Sequence, residues 1–213
     1  MKRIEEFGLN KKRFTVIYNS IVNHYPIPPE EKDYSKIGIL FIGRLREGCN
    51  LELLCESIIE LRNENYPISL HIIGSGELCK FYTNKYNGGG YMKFYGDLYE
   101  QKEISEISKE CIIGCYPGNA GLSVVHYMSL SLPCLVHDNI MNHQGPEPSY
   151  VRDRNNGRLF HYGDKESFKR TIKEMLDTGD LHLYGKEAYN TYLQLSNPSY
   201  AQRIINVLET LSE

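Results

Sequence analysis

The sequence predicts an α/β fold in which one parallel sheet carries helices on both faces. Short, almost continuous apolar runs, typical of strands buried on both sides, alternate with longer segments whose apolar residues recur at helical spacing. Glycine-rich or polar turns stand between each strand and the following helix, at the spacing of βαβ units. We therefore expect a doubly wound sheet with right-handed connections and a ligand site beyond the carboxyl ends of its strands.

The elements follow one another in a regular order. After a polar lead-in, an extended apolar run at 14–18 and a loop rich in proline and charge, the predicted strands are 37–42, 68–73, 91–96, 112–116, 134–137 and, at an edge, 157–160. The predicted helices are 51–63, a segment through about 86, 100–109, 122–131, 164–178, about 183–195 and 199–211. A short helix or turn is expected to open at Tyr150 and Val151.

Composition bounds the class of protein. The chain has 213 residues, 41% hydrophobic and 24% charged, with a net charge of −3, which is typical of a soluble globular domain with its own core. Neither a dense Lys/Arg run nor a basic balance is present, so nucleic acid is not an expected partner. We predict no secretory signal and no transmembrane segment, because no apolar run approaches the roughly 20 residues a spanning helix needs.

The cysteines show no pairing pattern. They form no CxxC motif and no Cys/His spacing typical of structural zinc, so we interpret them as cytosolic thiols, mostly buried. Their positions are 49, 55, 79, 111, 115 and 134.

A glycine-rich turn at 117–121 joins a predicted strand to a predicted helix. Several backbone amides of such a turn, with the positive end of the helix dipole, point at one spot and suit a phosphate. The alternative is an ordinary βα turn whose glycines serve backbone geometry alone. His126 lies about one helical turn beyond Ser123, where it could contact a phosphate or a ribose, or could be a satisfied half-buried histidine.

Other polar turns also follow strands and should converge on the same crevice. Arg44 could grip a phosphate or could pair with Glu47 or Glu77. Glu77, at the start of a predicted helix, is compatible with a simple favourable contact with the helix dipole. The remaining turns contain Gly74, Ser75 and Gly76; Tyr95, Gly96 and Asp97; and His137, Asp138 and Asn139.

A metal site is not predicted. His137, Asp138 and His143 lie close together in the chain, but they lack a fixed ligand spacing and paired carboxylates. We therefore expect neither a metal nor another cofactor.

Several motifs in order resemble a known family. They are FIGRL at 41–45, HIIGSGE at 71–77, KFYGD at 93–97, PGNAGLSVVHYMSLSLPCLVHDN at 117–139, Pro-Glu at 146–147 and NNGRLFHYGD at 155–164. Together they resemble the carboxyl-terminal, nucleotide-sugar-binding half of a GT-B glycosyltransferase of the family 4 type, with a Rossmann-like fold. The resemblance covers about residues 15–210 and is nearest to a branch with a PGNxGLxxxH pattern, found among bacterial polysaccharide-building enzymes.

The resemblance implies roles for particular residues. Arg44 would hold the donor diphosphate, the backbone at 120–123 would cradle the same phosphates, and Tyr95 and Gly96 would flank the nucleotide base. The implied donor-binding set is Gly43, Arg44, Gly74, Gly76, Glu77, Tyr95, Gly96, Asn119, Ala120, Gly121, Leu122, Ser123 and His126. A possible donor-sugar loop would add Asp138, Asn139 and Glu147, whereas no residue is assigned as catalytic.

The chain also departs from the family pattern. The usual pair of glutamates, which contact the sugar hydroxyls and the ribose, aligns with Gly118 and His126, although the histidine fits the PGNxGLxxxH branch. The lysine that usually follows the arginine by five residues is Cys49, and Arg46 could replace its charge. Donor binding could therefore be retained, altered or lost.

The resemblance implies a domain plan and a function. Residues 1–36 would be a lead-in and former interdomain linker, 37–198 the nucleotide-sugar-binding domain and 199–213 a crossing helix with an apolar face. The implied function is retaining hexosyl transfer in the biosynthesis of a polysaccharide such as capsule or lipopolysaccharide, in the cytoplasm or peripheral to the inner face of the membrane.

Two other interpretations have been weighed. One is a non-catalytic half-enzyme that binds a separate amino-terminal acceptor-binding domain or subunit, or a remnant that transfers nothing. The other, an NAD-type or flavodoxin-like domain, is disfavoured because the first strand leads into GRLREG at 43–48 and not into a dinucleotide fingerprint.

Overall fold

The structure is a computed structural model that describes residues 8, 14–86 and 89–210. Its centre is a six-stranded sheet, and every strand pair in it is parallel. The strands are β1 (Gly38–Ile42), β2 (Ser69–Ile73), β3 (Met92–Gly96), β4 (Ile113–Cys115), β5 (Cys134–His137) and β6 (Gly157–Phe160). Their order is β3-β2-β1-β4-β5-β6, which confirms the doubly wound parallel sheet.

Helices connect and cover the strands. They are α1 (Leu51–Asn63), α2 (Cys79–Tyr86), α3 (Gln101–Ser108), α4 (Ser123–Ser129), α5 (Lys165–Asp177), α6 (Leu181–Ser196) and α7 (Tyr200–Thr210). Short 3-10 helices lie at Pro29–Glu31, Ile140–Asn142 and Glu147–Tyr150. The chain runs outward from β1 to β3 on one side of the sheet's centre and outward from β4 to β6 on the other. With the right-handed connections usual for parallel strands, this order places helices on both faces of the sheet. Among the helices, α1 contacts α5, and α4 contacts α6.

Most predicted boundaries differ from the observed ones by one or two residues, and α4 differs for a physical reason. It was expected to continue to Ser131 but ends at Ser129, because Ser131 adopts a left-handed backbone conformation with φ 54°. The Ser131 hydroxyl donates to the carbonyl of Ile27 at 2.6 Å, which ties this turn to the amino-terminal segment. The segment expected at Tyr150 is a 3-10 helix that ends there and does not begin there.

The ends of the chain are described in part. The polar lead-in at 1–13 lies outside the described residues except for residue 8, and the run at 14–18 forms no strand among them. No described residue of α7 is buried, and Ile205 on its apolar face is 44% exposed. The domain division at residues 36 and 198 stays a prediction. Within the described residues, we find no helix with the length and apolarity to cross a bilayer.

A ladder of opposite charges links α1 to α5. Three lysines at helical spacing on α5 face Glu56 and Glu60 of α1 and Glu64, which directly follows it. The N···O distances are 3.3 Å for Lys165–Glu56, 2.8 Å for Lys165–Glu60, 3.0 Å for Lys169–Glu60 and 2.6 Å for Lys173–Glu64. These side chains are partly exposed, so the ion pairs orient the two helices and contribute little to stability individually.

Tyr127 bridges the two halves of the sheet. β1 and β4 pair at only two positions, Ile39 with Ile113 and Leu40 with Gly114. Beyond them the Tyr127 hydroxyl accepts a hydrogen bond from the Ile42 amide at 2.8 Å and donates one to the Cys115 carbonyl at 3.1 Å. Gly114 makes this possible, because a Cβ at that position would overlap the Tyr127 ring.

The loops that leave the strands are joined to one another by backbone hydrogen bonds. The amides of Gly43 and Leu45 donate to the carbonyls of Ile73 and Ser75 at 3.0 and 2.8 Å, and the Gly74 amide donates to Gly96 at 2.7 Å. A Cβ on Gly74 would overlap the carbonyl oxygen of Gly43, so this close approach requires glycine. The carboxyl edge of the sheet is therefore a connected set of loops.

We predict that Tyr127→Phe lowers the free energy of unfolding by about 1–3 kcal/mol, because it leaves the half-buried Ile42 amide without its acceptor and the buried Cys115 carbonyl without this donor. Urea unfolding measures this loss. The matched control is Tyr66→Phe, which removes a hydroxyl bonded to Asp177 at 3.0 Å at the surface and should change stability by less than about 0.5 kcal/mol. Equal effects of the two variants would contradict a bridging role for Tyr127.

Buried histidines should make the protein sensitive to acid. Burial lowers the pKa of His71, His126 and His137 to about 4, whereas the unfolded chain titrates near about 6.5. Their contribution to stability is therefore complete above pH 6.5 and is lost as the pH falls towards 4, because the unfolded state takes up protons first. We expect the urea midpoint to fall between pH 6.5 and 5. A midpoint that stays constant over this window would contradict neutral burial of these rings.

Candidate functional site

Two adjoining clefts open at the carboxyl edge of the sheet. The first, which we call the turn cleft, has a volume of about 490 Å³ and lies between the loop after β1 and the glycine turn before α4. It is lined by Ile21, Ile42, Gly43, Arg44, Arg46, Tyr116, Gly121, Leu122, Ser123, His126 and Gln144. The second, the loop cleft, has a volume of about 400 Å³ between the loops after β1, β2 and β3. Ile42, Gly43 and Arg44 line both, so the clefts meet at the end of β1.

Arginine side chains give the turn cleft its charge. Arg44 is exposed and forms no ion pair or side-chain hydrogen bond with the described residues, so the pairing with Glu47 or Glu77 considered from sequence does not occur among them. Arg46 lies half-buried in the same lining. Among the described residues that line this cleft there is no carboxylate. Unneutralised guanidinium groups in a concave site favour an anion such as a phosphate.

The glycine turn uses some of its amides within the protein. The Asn119 amide donates to the carbonyl of Gly48 at 3.0 Å, and the Ala120 amide donates to Nδ1 of His143 at 3.1 Å. The Ala120 amide is therefore already bonded within the protein, and the phosphate-cradling role expected of the backbone at 120–123 stays a prediction. The amides of Gly121, Leu122 and Ser123 have no partner within the described part of the chain, which leaves these three for a ligand.

Two residues that line the turn cleft each carry a buried polar atom without a partner among the described residues. The Ser123 hydroxyl and Nε2 of His126 both belong to lining residues, and neither forms a hydrogen bond with the described residues. Burial lowers the pKa of His126 to about 4, so its ring is neutral at physiological pH and can donate or accept one hydrogen bond. Because buried polar atoms are normally paired, these positions suit the hydroxyl or phosphate oxygens of a ligand.

Glu147 lies behind the glycine turn. Its Oε1 accepts a hydrogen bond from the side-chain amide of Asn19 at 2.7 Å, while the buried Oε2 has no partner among the described residues. A Cβ on Gly121 would lie 3.9 Å from Oε2, which places this oxygen directly beneath the turn. Within the described chain Glu147 lines neither cleft, although it supports the wall of the turn cleft.

Other predicted site residues point elsewhere. Asp138 accepts hydrogen bonds from Nδ1 of His161 at 2.7 Å and from the Tyr162 amide at 3.0 Å, and the His161 bond is the main reason that the Asp138 pKa lies below its usual value. Asp138 therefore fastens the end of β5 to the loop after β6. Asn139 accepts a backbone hydrogen bond from Asn142 at 3.1 Å and, like Asp138, is absent from the described lining of both clefts.

Tyr95 also turns away from the clefts. Its hydroxyl lies 2.9 Å from Nδ1 of the buried His71, and the two rings stack. Gly74 and Gly76 line the loop cleft, whereas Glu77 is exposed, and in the described chain neither Glu77 nor Gly96 is in its lining. The base-flanking role expected of Tyr95 and Gly96 stays a prediction for their backbone.

Two of the departures from the family pattern, at Cys49 and Gly118, lie in contact with each other. A Cβ on Gly118 would overlap the carbonyl oxygen of Gly48 and the carbonyl carbon of Cys49, so the backbone of this loop fills the space of a side chain at 118. Cys49 points into the core, with Sγ 4.0 Å from the Tyr82 hydroxyl. A lysine at 49 and a glutamate at 118 would each require the loop to move.

Some site residues were missed from the sequence. Ile21, Tyr116 and Gln144 line the turn cleft, and Leu98 and Tyr99 line the loop cleft beside Asp97, which the sequence analysis had placed in a converging turn. Ile21 and Gln144 reach the site from loops distant in the chain, for which no local pattern exists. His143 was weighed only as a metal ligand; its ring stacks on His137 with centroids 3.7 Å apart. In the described ranges no three His, Cys, Asp or Glu side chains converge as a metal site would require.

Comparison with known proteins identifies relatives. A family model described as "Glycosyl transferases group 1" matches residues 27–191, which is more than half of the chain and includes both clefts apart from Ile21. EpsD of Bacillus subtilis, which carries the name of a glycosyltransferase, is 21% identical over 97% of this chain. The match covers 54% of EpsD, so the chain spans about half the length of this curated relative.

Solved structures share the fold. The pneumococcal O-GlcNAc transferase GtfA, solved with UDP and GlcNAc, has a TM-score of 0.77 at 14% identity and covers 100% of this chain and 43% of its own. The lipopolysaccharide outer core galactosyltransferase WaaB has a TM-score of 0.74 at 18% identity, over 98% of this chain and 59% of its own. Anabaena HepE, solved with UDP-glucose, has a TM-score of 0.71 at 16% identity, over 99% of this chain and 60% of its own.

At these identities the likeness to solved structures shows the fold: this sheet and its helices match part of each GT-B glycosyltransferase. The family match rests on the sequence itself and spans the strands, the glycine turn and the arginine loop. The chain therefore belongs to the family of group 1 glycosyl transferases.

Proposed function

We propose that this chain is the donor-binding half of a retaining glycosyltransferase that takes a nucleotide-diphospho-hexose for polysaccharide biosynthesis. The observation that carries the proposal is the turn cleft, where two guanidinium groups and three unused amides meet and no described carboxylate opposes them. That arrangement suits a diphosphate more than a neutral ligand. UDP is the nucleotide to test first, because GtfA and HepE were both solved with it.

The diphosphate would lie where the clefts meet. Arg44 borders both clefts and Arg46 borders the turn cleft, so they would contact phosphate oxygens from the β1 side, opposite the amides of residues 121–123. When the bond between sugar and diphosphate breaks, negative charge develops on the leaving phosphate. Fixed donors that surround that charge stabilise the transition state without a metal or a covalent intermediate. We assign no general base and expect no metal or other cofactor.

The two clefts would divide the rest of the donor. The loop cleft, with Asp97 and the 85% exposed Tyr99 at its rim, would take the nucleoside, and the turn cleft would take the sugar. The unpartnered Ser123 hydroxyl and His126 Nε2 would bond ribose, phosphate or sugar oxygens. Glu147 would contribute through Oε2 only if the ligand reaches beneath the turn; Asp138 and Asn139 would act only after their loop moves.

A second candidate is a non-catalytic binding subunit. It is favoured by the filled position at Gly118, which leaves no room for the glutamate that the family resemblance implies. In both candidates the acceptor would be bound by a separate amino-terminal domain or subunit. Both place the protein in the cytoplasm or at the inner face of the membrane. Both predict donor binding, and only the first predicts sugar transfer once an acceptor half is supplied.

We predict that UDP binds the 213-residue chain and that Arg44→Ala weakens the binding by about 10- to 100-fold, since one charge-assisted contact is lost. Isothermal titration calorimetry at constant ionic strength measures the affinities. The matched control, Arg170→Ala on α5, removes an exposed arginine that pairs with Glu174 at 3.8 Å, and UDP affinity should not change. Absence of UDP binding, or an equal loss in both variants, would contradict the proposed site.

A further inference from the structure

We propose that His143 is a positioning residue for the donor site: its ring fixes the glycine turn to the end of β5 and thereby holds the amides of residues 121–123 towards the turn cleft. The proposal rests on the donor-binding function proposed above. His143 itself is not in the described lining of either cleft, so its effect on a ligand would be exerted through the turn.

The hydrogen bonds of His143 fix one form of its ring. Nδ1 lies 3.1 Å from the Ala120 amide nitrogen, and Nε2 lies 3.0 Å from the carbonyl oxygen of His137. An amide can only donate and a carbonyl can only accept, so Nδ1 must carry a lone pair and Nε2 must carry the proton. Both contacts are therefore satisfied by the neutral Nε2–H tautomer and by no other state of the ring.

Ala120 is the residue that this contact immobilises. Its amide donates to His143, and its carbonyl accepts a hydrogen bond at 3.0 Å from the amide of Gln144, the residue that follows His143. On the other side of the turn the Asn119 amide donates to Gly48 at 3.0 Å. The turn is thus fastened on both sides at Asn119 and Ala120, directly before the free amides of residues 121–123.

The surroundings of His143 keep it neutral. Its ring stacks at 6° on that of His137, which is itself buried and whose pKa is lowered to about 4, and Tyr162 contacts the far side of His137. The nearby carboxylates bond to other groups: Asp138 accepts from His161, and Oε1 of Glu147 accepts from the neutral side-chain amide of Asn19. Burial is the largest effect on His143 and lowers its pKa. Protonation at Nδ1 would direct an N–H at the Ala120 N–H and break the contact.

Isosteric variants separate the two hydrogen bonds. His143→Asn keeps an acceptor at the position of Nδ1 but does not reach the His137 carbonyl, whereas His143→Gln keeps a donor at the position of Nε2. His143→Ala keeps neither. For the full 213-residue chain at pH 7.5, we expect UDP affinity to fall about tenfold in the Ala and Gln variants and less than threefold in the Asn variant.

A pH series distinguishes positioning from general destabilisation. The ring NMR signals of His143 show the pH range in which the ring takes up a proton. Through that range, wild-type affinity for UDP should decline relative to that of His143→Asn, because only the wild type loses the acceptor for Ala120. The ratio of the two affinities cancels the protonation of UDP itself. A ratio that stays constant while His143 becomes protonated, or an Ala variant that binds UDP as the wild type does, would overturn the proposal.

Measurements without nucleotide test the contact itself. Ring ¹⁵N NMR of His143 at pH 7 should show the neutral Nε2–H tautomer, and exchange of the Ala120 amide should accelerate in the Ala variant. A charged ring or an Nδ1–H tautomer would overturn the proposal. If the wild type bound no UDP, the proposed function would fail, while the tautomer and the Ala120 exchange rate would still decide whether the contact exists.

Discussion

The hydroxyl of Tyr127 links the two halves of the sheet at the point where the strand order reverses. β1 and β4 are adjacent but pair over only two residues, and this is the place where a doubly wound sheet opens a crevice. The hydroxyl reaches from α4 to an amide of β1 and a carbonyl of β4 and bonds to both. The strands can therefore separate beyond this hydroxyl and form a crevice, while the Ile42 amide and the Cys115 carbonyl at its base keep hydrogen-bond partners.

The two sides of the crevice are built differently. On the β1 side, backbone hydrogen bonds join successive loops and leave Arg44 free of ion pairs with the described residues. On the β4 side, the amides of Asn119 and Ala120 are bonded within the protein and those of residues 121–123 are not. Donors that are held rigidly and left unused can stabilise a developing charge without reorganisation. In the proposed function, the unpaired buried atoms of Ser123 and His126 would find their partners in the same ligand.

The sheet and its helices could be predicted from sequence because burial on two faces imposes period and length on each element. Arg44 could be predicted as a site residue because it directly follows a buried strand. The directions of other side chains could not be predicted from the sequence, because their partners lie far along the chain. Tyr95 bonds to His71, 24 residues away, and Asp138 bonds to His161, 23 residues away. The contact between the loop at Cys49 and the turn at Gly118 could not be predicted either. It arises because the backbone of Gly48 and Cys49 fills the space that a side chain at position 118 would need. His143 gave no signal, as a hydrogen bond to a turn has no sequence pattern.

In the proposed function a nucleoside diphosphate binds between Arg44 and the amides of residues 121–123. A ¹H–¹⁵N titration of the chain with UDP would locate this contact residue by residue. The amide signals of Gly121, Leu122 and Ser123 should move most, with those of Gly43 and Arg44, while Asn119 and Ala120, already bonded within the protein, should move less. Shifts centred on another surface, or no shifts at millimolar UDP, would rule out this binding mode.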